Sequence, residues 1–398
     1  TVTGAGPIGD IQNNLQRQII DREVIDSVPT GKDFRSYALL TPGMVTSNSF
    51  GTTLNQDAGG ITAQTTAALS IHGGRGRDGM TALNGMDVSN AFSGGAGQMF
   101  GLVSDGAIEE MSVEVSGHNA EASYGGVTVN LIPREGANQF SGAFFGTFTG
   151  AGLQADNLSD ALRDRGVSNF PEVDEVWMLN PSFGGPIVEN RLWFFGQHTA
   201  QRGNVVNPGV FAAVNAAAPG YLADTTQPVV SVNENAETSF NFTLQASQKD
   251  KFKVYYSYAN WKKPNALAGP FRTFVIAPEA SINREFDVHT TQLSWVRPAT
   301  NRLLFEAGVS FAPGSATDIS NEFAASDVLS TFDVASRTIH RNNHFLSQGS
   351  ASTSDRRTVA FHGSTAYVTG THSLKFGFNG TTFREVLPSN VSQQNFTD

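Results

Sequence analysis

The sequence predicts a mainly β protein, in which a small α+β domain precedes the antiparallel, up-and-down strands of a transmembrane β-barrel. Three observations predict it. Charged residues are only 16% of 398, while glycine (41) and phenylalanine (29) are abundant, which is typical of many strands joined by turns. Apolar and polar residues alternate over runs of about ten residues. Short and long connections between these runs also alternate, as at the two ends of a transmembrane barrel.

The organisation of the chain changes between Asp105 and Gly150. Two short strands are predicted there, Met111–Ser116 and Val127–Pro133, followed by a turn at Gly136–Asn138. A longer alternating strand then begins at Gln139. We therefore expect a small domain over residues 1–138 and barrel strands over residues 139–398, about nine in number.

The first 138 residues carry helix, turn and loop signals. An aspartate cap and apolar residues at helical spacing predict helices over Asp21–Val28 and Asp33–Leu40, each followed by a proline. A short strand is predicted over Ala67–His72, and an Asn84-Gly85 turn follows Ala82–Leu83. Two long, polar, glycine-rich segments are predicted to be loops, Thr46–Gly60 and Asn90–Gly101.

Residues 139–398 show the strand alternation most clearly around Phe240 and Phe242, which alternate with Ser239, Asn241 and Thr243. The predicted strands are Gln139–Thr149, Val176–Gly184, Arg191–Gln201, Glu237–Ser247, Lys251–Trp261, Glu285–Val296, Arg302–Phe311, Thr358–Val368 and His372–Phe383.

The connections between these strands predict a membrane barrel more strongly than the strands themselves. The predicted tight turns are Gly185–Asn190, Gln248–Asp250, Arg297–Asn301 and Thr369–Thr371. The predicted long polar connections are Gly150–Glu175, Arg202–Ala236, Lys262–Arg284 and Ala312–Arg357. Nine is an odd number of strands, and a bacterial single-chain barrel closes with an even number, so we expect an incomplete barrel and a fragment of a longer protein.

Composition and charge argue against several classes of protein. A net charge of −10 makes nucleic-acid binding a poor expectation, because phosphate contacts need clustered lysine and arginine. The absence of cysteine excludes disulfides, thiolate metal sites and a cysteine nucleophile. Thr1–Asp10 lacks the features of a signal peptide, and no apolar run reaches the length of a membrane-spanning helix.

Motifs of enzymes are weak or missing, so no catalytic residue, cofactor or metal is predicted. Residues 74–79 match G-x-G-x-x-G after a strand, but no long helix opens there and no acidic ribose partner follows at the usual distance. No G-x-S-x-G is present. His340 and His344 are predicted to lie in a solvated segment rather than at a metal. The acidic group is predicted to be a charged surface rather than a catalytic pair: Glu109, Glu110, Glu114 and Glu121.

In five stretches the chain resembles the TonB-dependent outer-membrane receptors, and within them the Oar-like branch, whose members carry an N-terminal carboxypeptidase-regulatory-like domain. The five stretches, in the family's order, are Ile25–Gly43, Ile71–Asp87, Ile108–Val115, Glu121–Gly142 and Ser182–Phe195. His72 stands where arginine is usual in the family, and Asn84 where aspartate is usual. Neither departure is expected to change the fold, although both could alter contacts of the domain that plugs the barrel.

The resemblance implies an active importer that is not an enzyme. Residues 1–138 would be the plug of a barrel of about 22 strands in the outer membrane of a Gram-negative cell, in contact with outer-membrane lipid. TonB and its inner-membrane energising complex would pull an N-terminal segment upstream of Thr1. The imported substrate would come from outside the cell, its class open among siderophore, saccharide, peptide and protein. The alternative is a surface adhesion or secretion-related barrel protein without active transport.

The resemblance also implies roles for particular residues. Substrate would contact two outward plug loops through Phe50, Asn55, Gln56, Phe92, Gln98, Met99 and Phe100. The structural motif of the plug would consist of Gly73, Gly74, Arg75, Gly85, Asp87, Gly125, Gly126 and Asn130.

Overall fold

The protein is described by a computed structural model. The described residues are 16–47, 68–89, 103–116, 124–155, 158–165, 172–271, 273–320, 329–342, 351–370 and 372–386. Within these ranges, no helix combines the length and the apolar character needed to cross a membrane.

Two short helices pack near the start of the described chain. Strand β1 (Gln16–Asp21) leads into α1 (Arg22–Ser27), where the Asp21 carboxylate accepts a hydrogen bond from the Val24 N–H at 3.0 Å. All five residues of α2 (Phe34–Ala38) are buried. Asp33 precedes α2 as predicted, but its carboxylate accepts from Arg35 at 2.8 Å instead of capping the backbone. Both predicted helices are confirmed, each shortened at its ends.

A five-stranded sheet with the order β1-β6-β7-β4-β5 forms the centre of this part of the chain. Its other strands are β4 (Met80–Leu83), β5 (Met86–Asp87), β6 (Ile108–Ser116) and β7 (Thr128–Pro133). A separate hairpin pairs β2 (Met44–Ser47) with β3 (Ala68–Ile71), so Thr46, predicted in a loop, is in a strand. The helices and sheet enclose one apolar core, which includes Ile20, Ile25, Phe34, Tyr37, Leu83, Met111, Val129 and Leu131.

The remainder of the chain is dominated by a nine-stranded antiparallel sheet in which every strand pairs with the next long strand along the chain. Its strands are β8 (Ser141–Gly150), β9 (Glu172–Val188), β10 (Leu192–Ala213), β11 (Ala223–Gln245), β12 (Lys251–Lys263), β15 (Ile282–Thr300), β16 (Leu303–Ser320), β19 (Ala351–Thr369) and β20 (His372–Val386). The nine predicted strands and their up-and-down order are confirmed.

Several strands are much longer than predicted, and the predicted loop Arg202–Ala236 is mostly wrong. β10 and β11 are 22 and 23 residues long, and Arg202 pairs with Glu234 inside the predicted loop. A strand needs only about 10 residues to cross the hydrocarbon core. The extra length therefore exceeds what a membrane crossing requires, and it pairs although it has the polar composition of a loop, with Asn204, Asn233 and Asn235 buried.

The long connections contain a further small sheet with the order β13-β14-β18-β17. Its strands are β13 (Gly269–Phe271), β14 (Phe274–Ile276), β17 (Thr331–Asp333) and β18 (Thr338–His340), and α3 (Asp160–Arg163) lies in an earlier connection. The apolar core of this four-stranded sheet consists of Ile276, Ala280 and Ile339. The prediction of loops is wrong for the described parts of two connections, Lys262–Arg284 and Ala312–Arg357, because they contain these strands.

The nine-stranded sheet has a polar buried face and an apolar exposed face. The buried polar residues include Gln197, Thr199, Glu237, Ser239, Asn241, Thr243, Gln292 and Ser310. The exposed apolar residues on the other face include Phe240, Phe242, Val254, Leu293, Val309, Phe311, Phe361, Phe376 and Phe378. This arrangement is the reverse of a soluble protein and is that of a barrel whose outer surface meets lipid.

Candidate functional site

Among the described residues, hydrogen bonds hold the small domain, which contains the five-stranded sheet, against the polar face of the nine-stranded sheet (the wall) at places that include the following three. The first lies at the turn between β4 and β5. There the Asn84 amide donates to Gln292 Oε1 at 3.0 Å, and the Gln292 amide donates to the Leu83 carbonyl at 3.1 Å. A side chain of the wall thus bonds both the side chain and the backbone of one turn, which fixes the position of that turn.

The second contact is made by Ser104 and the short 3-10 turn that follows it, Asp105–Ala107. The Ser104 N–H donates to Glu237 Oε2 at 3.3 Å, and the Asn180 amide donates to Ser104 Oγ. Glu237 is fully buried and also accepts from the Gln197 amide. These four side chains make a buried polar cluster between the two sheets.

The other side of this turn faces the helices of the small domain. The Tyr37 hydroxyl donates to Asp105 Oδ2 at 3.1 Å, and Lys32 Nζ lies 3.8 Å from the same oxygen. Arg22 donates to the Asp105 and Ile108 carbonyls at 2.6 and 2.8 Å. Burial raises the pKa of the Asp105 carboxyl, against the opposing charges of Lys32 and Arg22.

The third contact lies in the segment after β7. The Asn241 amide donates to the Arg134 carbonyl at 2.7 Å, and the Thr243 hydroxyl donates to Glu135 Oε2 at 3.1 Å. Lys251 Nζ lies 2.8 Å from the same Glu135 oxygen, and Lys253 pairs with the other one. Burial by itself raises the pKa of Glu135, but the hydrogen bonds and charges of the two lysines outweigh it and lower the pKa below its ordinary value.

The lowered pKa of Glu135 predicts that acid loosens the contact between the two sheets. A carboxyl whose pKa is lowered on folding contributes stability above its unfolded pKa, here 4.5, and loses it as the pH falls through the lower folded value. We expect about 1 kcal/mol of the unfolding free energy of the small domain to be lost on acidification. Glu135→Gln should lack this pH dependence in urea unfolding followed by hydrogen exchange of β6 and β7. An unchanged dependence in Glu135→Gln would mean that other carboxylates cause it.

The residues predicted as the structural motif form two groups in the small domain. Asn84 and Gly85 both have positive φ (53° and 74°), which is the conformation of a tight Asn-Gly hairpin turn. The Gly85 N–H donates to Asn130 Oδ1 at 2.8 Å, so Asn130 ties this turn to β7. In the same group Asp87 accepts from the Tyr124 hydroxyl at 2.6 Å and from the Ser89 N–H at 2.8 Å.

The second group surrounds the turn after β3. Gly73 has a φ of 75°, and the Gly74 N–H closes the turn on the Ile71 carbonyl at 2.9 Å. Arg75 precedes a three-residue 3-10 turn, Gly76–Asp78, so the G-x-G-x-x-G stretch opens no long helix, as predicted. The Gly126 N–H donates to the Asp78 carbonyl at 2.8 Å, whereas Gly125 faces open space.

Seven predicted substrate-contacting residues lie outside the described residues: Phe50, Asn55, Gln56, Phe92, Gln98, Met99 and Phe100. His344 also lies outside them. His340 ends β18 and is buried beside the Tyr221 ring, so the prediction of a solvated segment is wrong for His340. Searched over the described ranges alone, the structure shows no group of three or more metal-ligating side chains.

The sequence did not identify Ser104, Asn180, Glu237 and Gln292, which take part in the first two contacts between the small domain and the wall. Glu237 stands at an inward position of a predicted strand, and a charged residue there was the available signal. Its partner could not be read from the sequence because Ser104 lies 133 positions earlier.

A cavity of about 1040 Å³ lies between the β4–β5 turn and the wall formed by β12, β15, β16, β19 and β20. Its lining combines both signs of charge with aromatic rings and includes Asp87, Tyr124, Lys253, Glu306, His362 and Lys375. The small domain therefore leaves a space with a mixed polar and apolar lining on this side of the wall.

Comparison with known proteins agrees with this geometry. No protein-family model matches the chain. It is 24% identical over 207 residues to the TonB-dependent transporter Oar of Myxococcus xanthus, a match that covers 49% of this chain and 17% of that protein.

Among solved structures, the siderophore receptor PirA of Acinetobacter baumannii matches with a TM-score of 0.62 at 12% identity, over 97% of this chain and 50% of that one. The outer membrane transporter YddB of Escherichia coli matches with a TM-score of 0.59 at 11% identity, over 93% and 48%. At such identities these structures show the fold, and the chain spans about half of their length. By name, the matching proteins are transporters and receptors rather than enzymes, and the resemblance predicted from the sequence is confirmed.

Proposed function

We propose that this chain, which has the fold of the TonB-dependent outer-membrane receptors, supplies the plug and first nine strands of an importer. Residues 1–138 form the plug and residues 139–398 the first part of the barrel. The receptor binds a substrate outside the cell and imports it with energy that TonB relays from the inner-membrane complex. One observation carries the proposal: a small domain is hydrogen-bonded to the polar face of a sheet whose other face is apolar and exposed.

The physical basis is the water-filled interior of a wide barrel. An interior lined by serine, threonine, asparagine and glutamine would conduct small solutes if it were empty. A plug attached through hydrogen bonds rather than a continuous apolar interface leaves its place at a modest free-energy cost, since each hydrogen bond contributes only about 1 kcal/mol net. The contacts at Asn84, Ser104 and Glu135 are of this kind.

TonB dependence distinguishes this proposal from an adhesion or secretion-related barrel. Cells that make the full-length protein, with and without TonB, are grown in their natural medium, and the spent medium is compared by mass spectrometry. We expect at least one compound to be depleted only when both proteins are present. A heat-dependent gel shift in the outer-membrane fraction serves as the folding control. Depletion that is the same with and without TonB would contradict import. So would the absence of any depletion from the medium of cells whose barrel is correctly folded.

The same assay tests the proposed substrate contacts. Alanine at Phe50, Phe92 or Phe100 should slow depletion of that compound, because the two loops that carry them are proposed to bind it. Alanine at Phe376, an exposed residue (69%) of the apolar outer face, is the matched control and should leave depletion unchanged.

A further inference from the structure

The turn that begins at Ser104 is bonded on both of its sides, to the wall and to the helices of the small domain. Toward the wall, Ser104 contacts Asn180 and Glu237. Toward the helices, Arg22 bonds the Asp105 carbonyl at 2.6 Å, and Asp33 forms an isolated β-bridge with Ser104. Ser104, Asn180 and Glu237 are all at least 95% buried, so water does not compete for these bonds.

Gly106 makes the contact with the wall unusually close. A Cβ atom built on Gly106 would lie 2.4 Å from the Asn180 side-chain oxygen and 2.6 Å from its nitrogen. Any side chain at position 106 must therefore displace the amide that bonds Ser104. The close contact between this turn and the Asn180 amide therefore requires that position 106 carry no methyl group.

The N-terminal elements connect to this turn in a defined order. β1 pairs with β6 from Gln16↔Ser116 to Asp21↔Glu110, and Arg22 follows β1 directly. A pull from the N-terminal side would first separate β1 from β6 and then break the bonds of Arg22 to the Asp105 and Ile108 carbonyls. Once the residues before Ser104 have extended, the load would reach Ser104 along the chain and act on its bonds to Asn180 and Glu237.

We propose that Ser104–Gly106 is the latch at which a pull on the plug is transmitted to the barrel wall, with Asn180 and Glu237 as its positioning residues. The proposal rests on the proposed function, since it is the importer that is pulled from the N-terminal side. When the latch holds, the residues before it unravel while β6 and β7 stay on the wall. When it breaks, the rest of the plug is free to move.

Force spectroscopy on the full-length protein in a lipid bilayer tests the latch without any substrate. Pulling from the N-terminus should give an intermediate after residues 16–103 have extended, which is about 300 Å of chain. Asn180→Ala and Gly106→Ala should shorten its lifetime under constant load roughly fivefold to tenfold, as expected for one lost buried hydrogen bond. Asn84→Ala removes a plug–wall bond of the same type elsewhere and should leave this intermediate unchanged.

A cross-linked variant covers the case in which a substitution harms folding. The chain has no cysteine, so Ser104→Cys with Asn180→Cys introduces a single disulfide between contacting side chains. The oxidised protein should resist extension beyond the latch, and a reductant should restore the native trace. An intermediate at another length, or equal lifetimes in Asn180→Ala, Gly106→Ala and the native protein, would overturn the latch. TonB-independent uptake alongside the expected traces would instead overturn the proposed function.

Discussion

Deletion of residues 16–133 from the full-length protein is expected to convert a closed barrel into an open pore. These residues form the five-stranded sheet and the helices of the small domain, which lie against the polar face of the wall. Without them the interior of a barrel of about 22 strands is filled with water and no longer plugged. The deletion variant should show large, steady single-channel conductance in planar bilayers, and cells should become sensitive to antibiotics too large for ordinary porins.

The control for this deletion is Asn84→Ala, which removes one hydrogen bond between the two sheets and leaves the small domain in place. It should remain closed in both assays. Both proteins must show the heat-dependent gel shift, so that a missing conductance is not mistaken for an unfolded barrel. A folded deletion variant without conductance would show that other parts of the protein occlude the barrel.

Gly126→Ala is expected to lower the unfolding free energy of the small domain far more than any surface substitution does. A Cβ atom at position 126 would lie 2.6 Å from the Asp78 carbonyl carbon and from the Gly79 nitrogen. These are backbone atoms, and the Gly126 N–H is itself bonded to the Asp78 carbonyl at 2.8 Å, so the strain has no flexible side chain to absorb it. We expect a loss of about 2 to 3 kcal/mol of unfolding free energy.

The neighbouring glycine provides the matched comparison. Gly125 has no atom within 4 Å of its hypothetical Cβ, so Gly125→Ala should be close to neutral. Hydrogen exchange of β4 and β7 measures both variants, because β4 pairs with β7 beside this contact. Equal protection in Gly125→Ala and Gly126→Ala would show that the close approach does not limit stability.

Local features of the structure were predictable because their causes lie within a few residues. Asp21 caps α1 through the Val24 N–H three positions later. The Asn84-Gly85 turn follows from the tolerance of both residues for positive φ. Alternation around Phe240 identified a strand with one polar and one apolar face.

The full length of the strands was not predictable from alternation. Arg202 and Glu234 pair inside the predicted loop, where buried positions such as Asn204, Asn233 and Asn235 are polar, so no apolar alternation marks the strands. Polar composition is the same in such a strand and in a loop, and the strand prediction failed there.

The sequence by itself determined the nine-stranded, up-and-down sheet, the two short helices and the glycine turns of the small domain. Only the tertiary structure decided where the two sheets meet: at Gln292 with Asn84, at Glu237 with Ser104, and at Lys251 with Glu135. These partners are 208, 133 and 116 positions apart. A hydrogen bond or ion pair forms where folding brings two groups within about 3 Å, and no local pattern of one partner specifies the other.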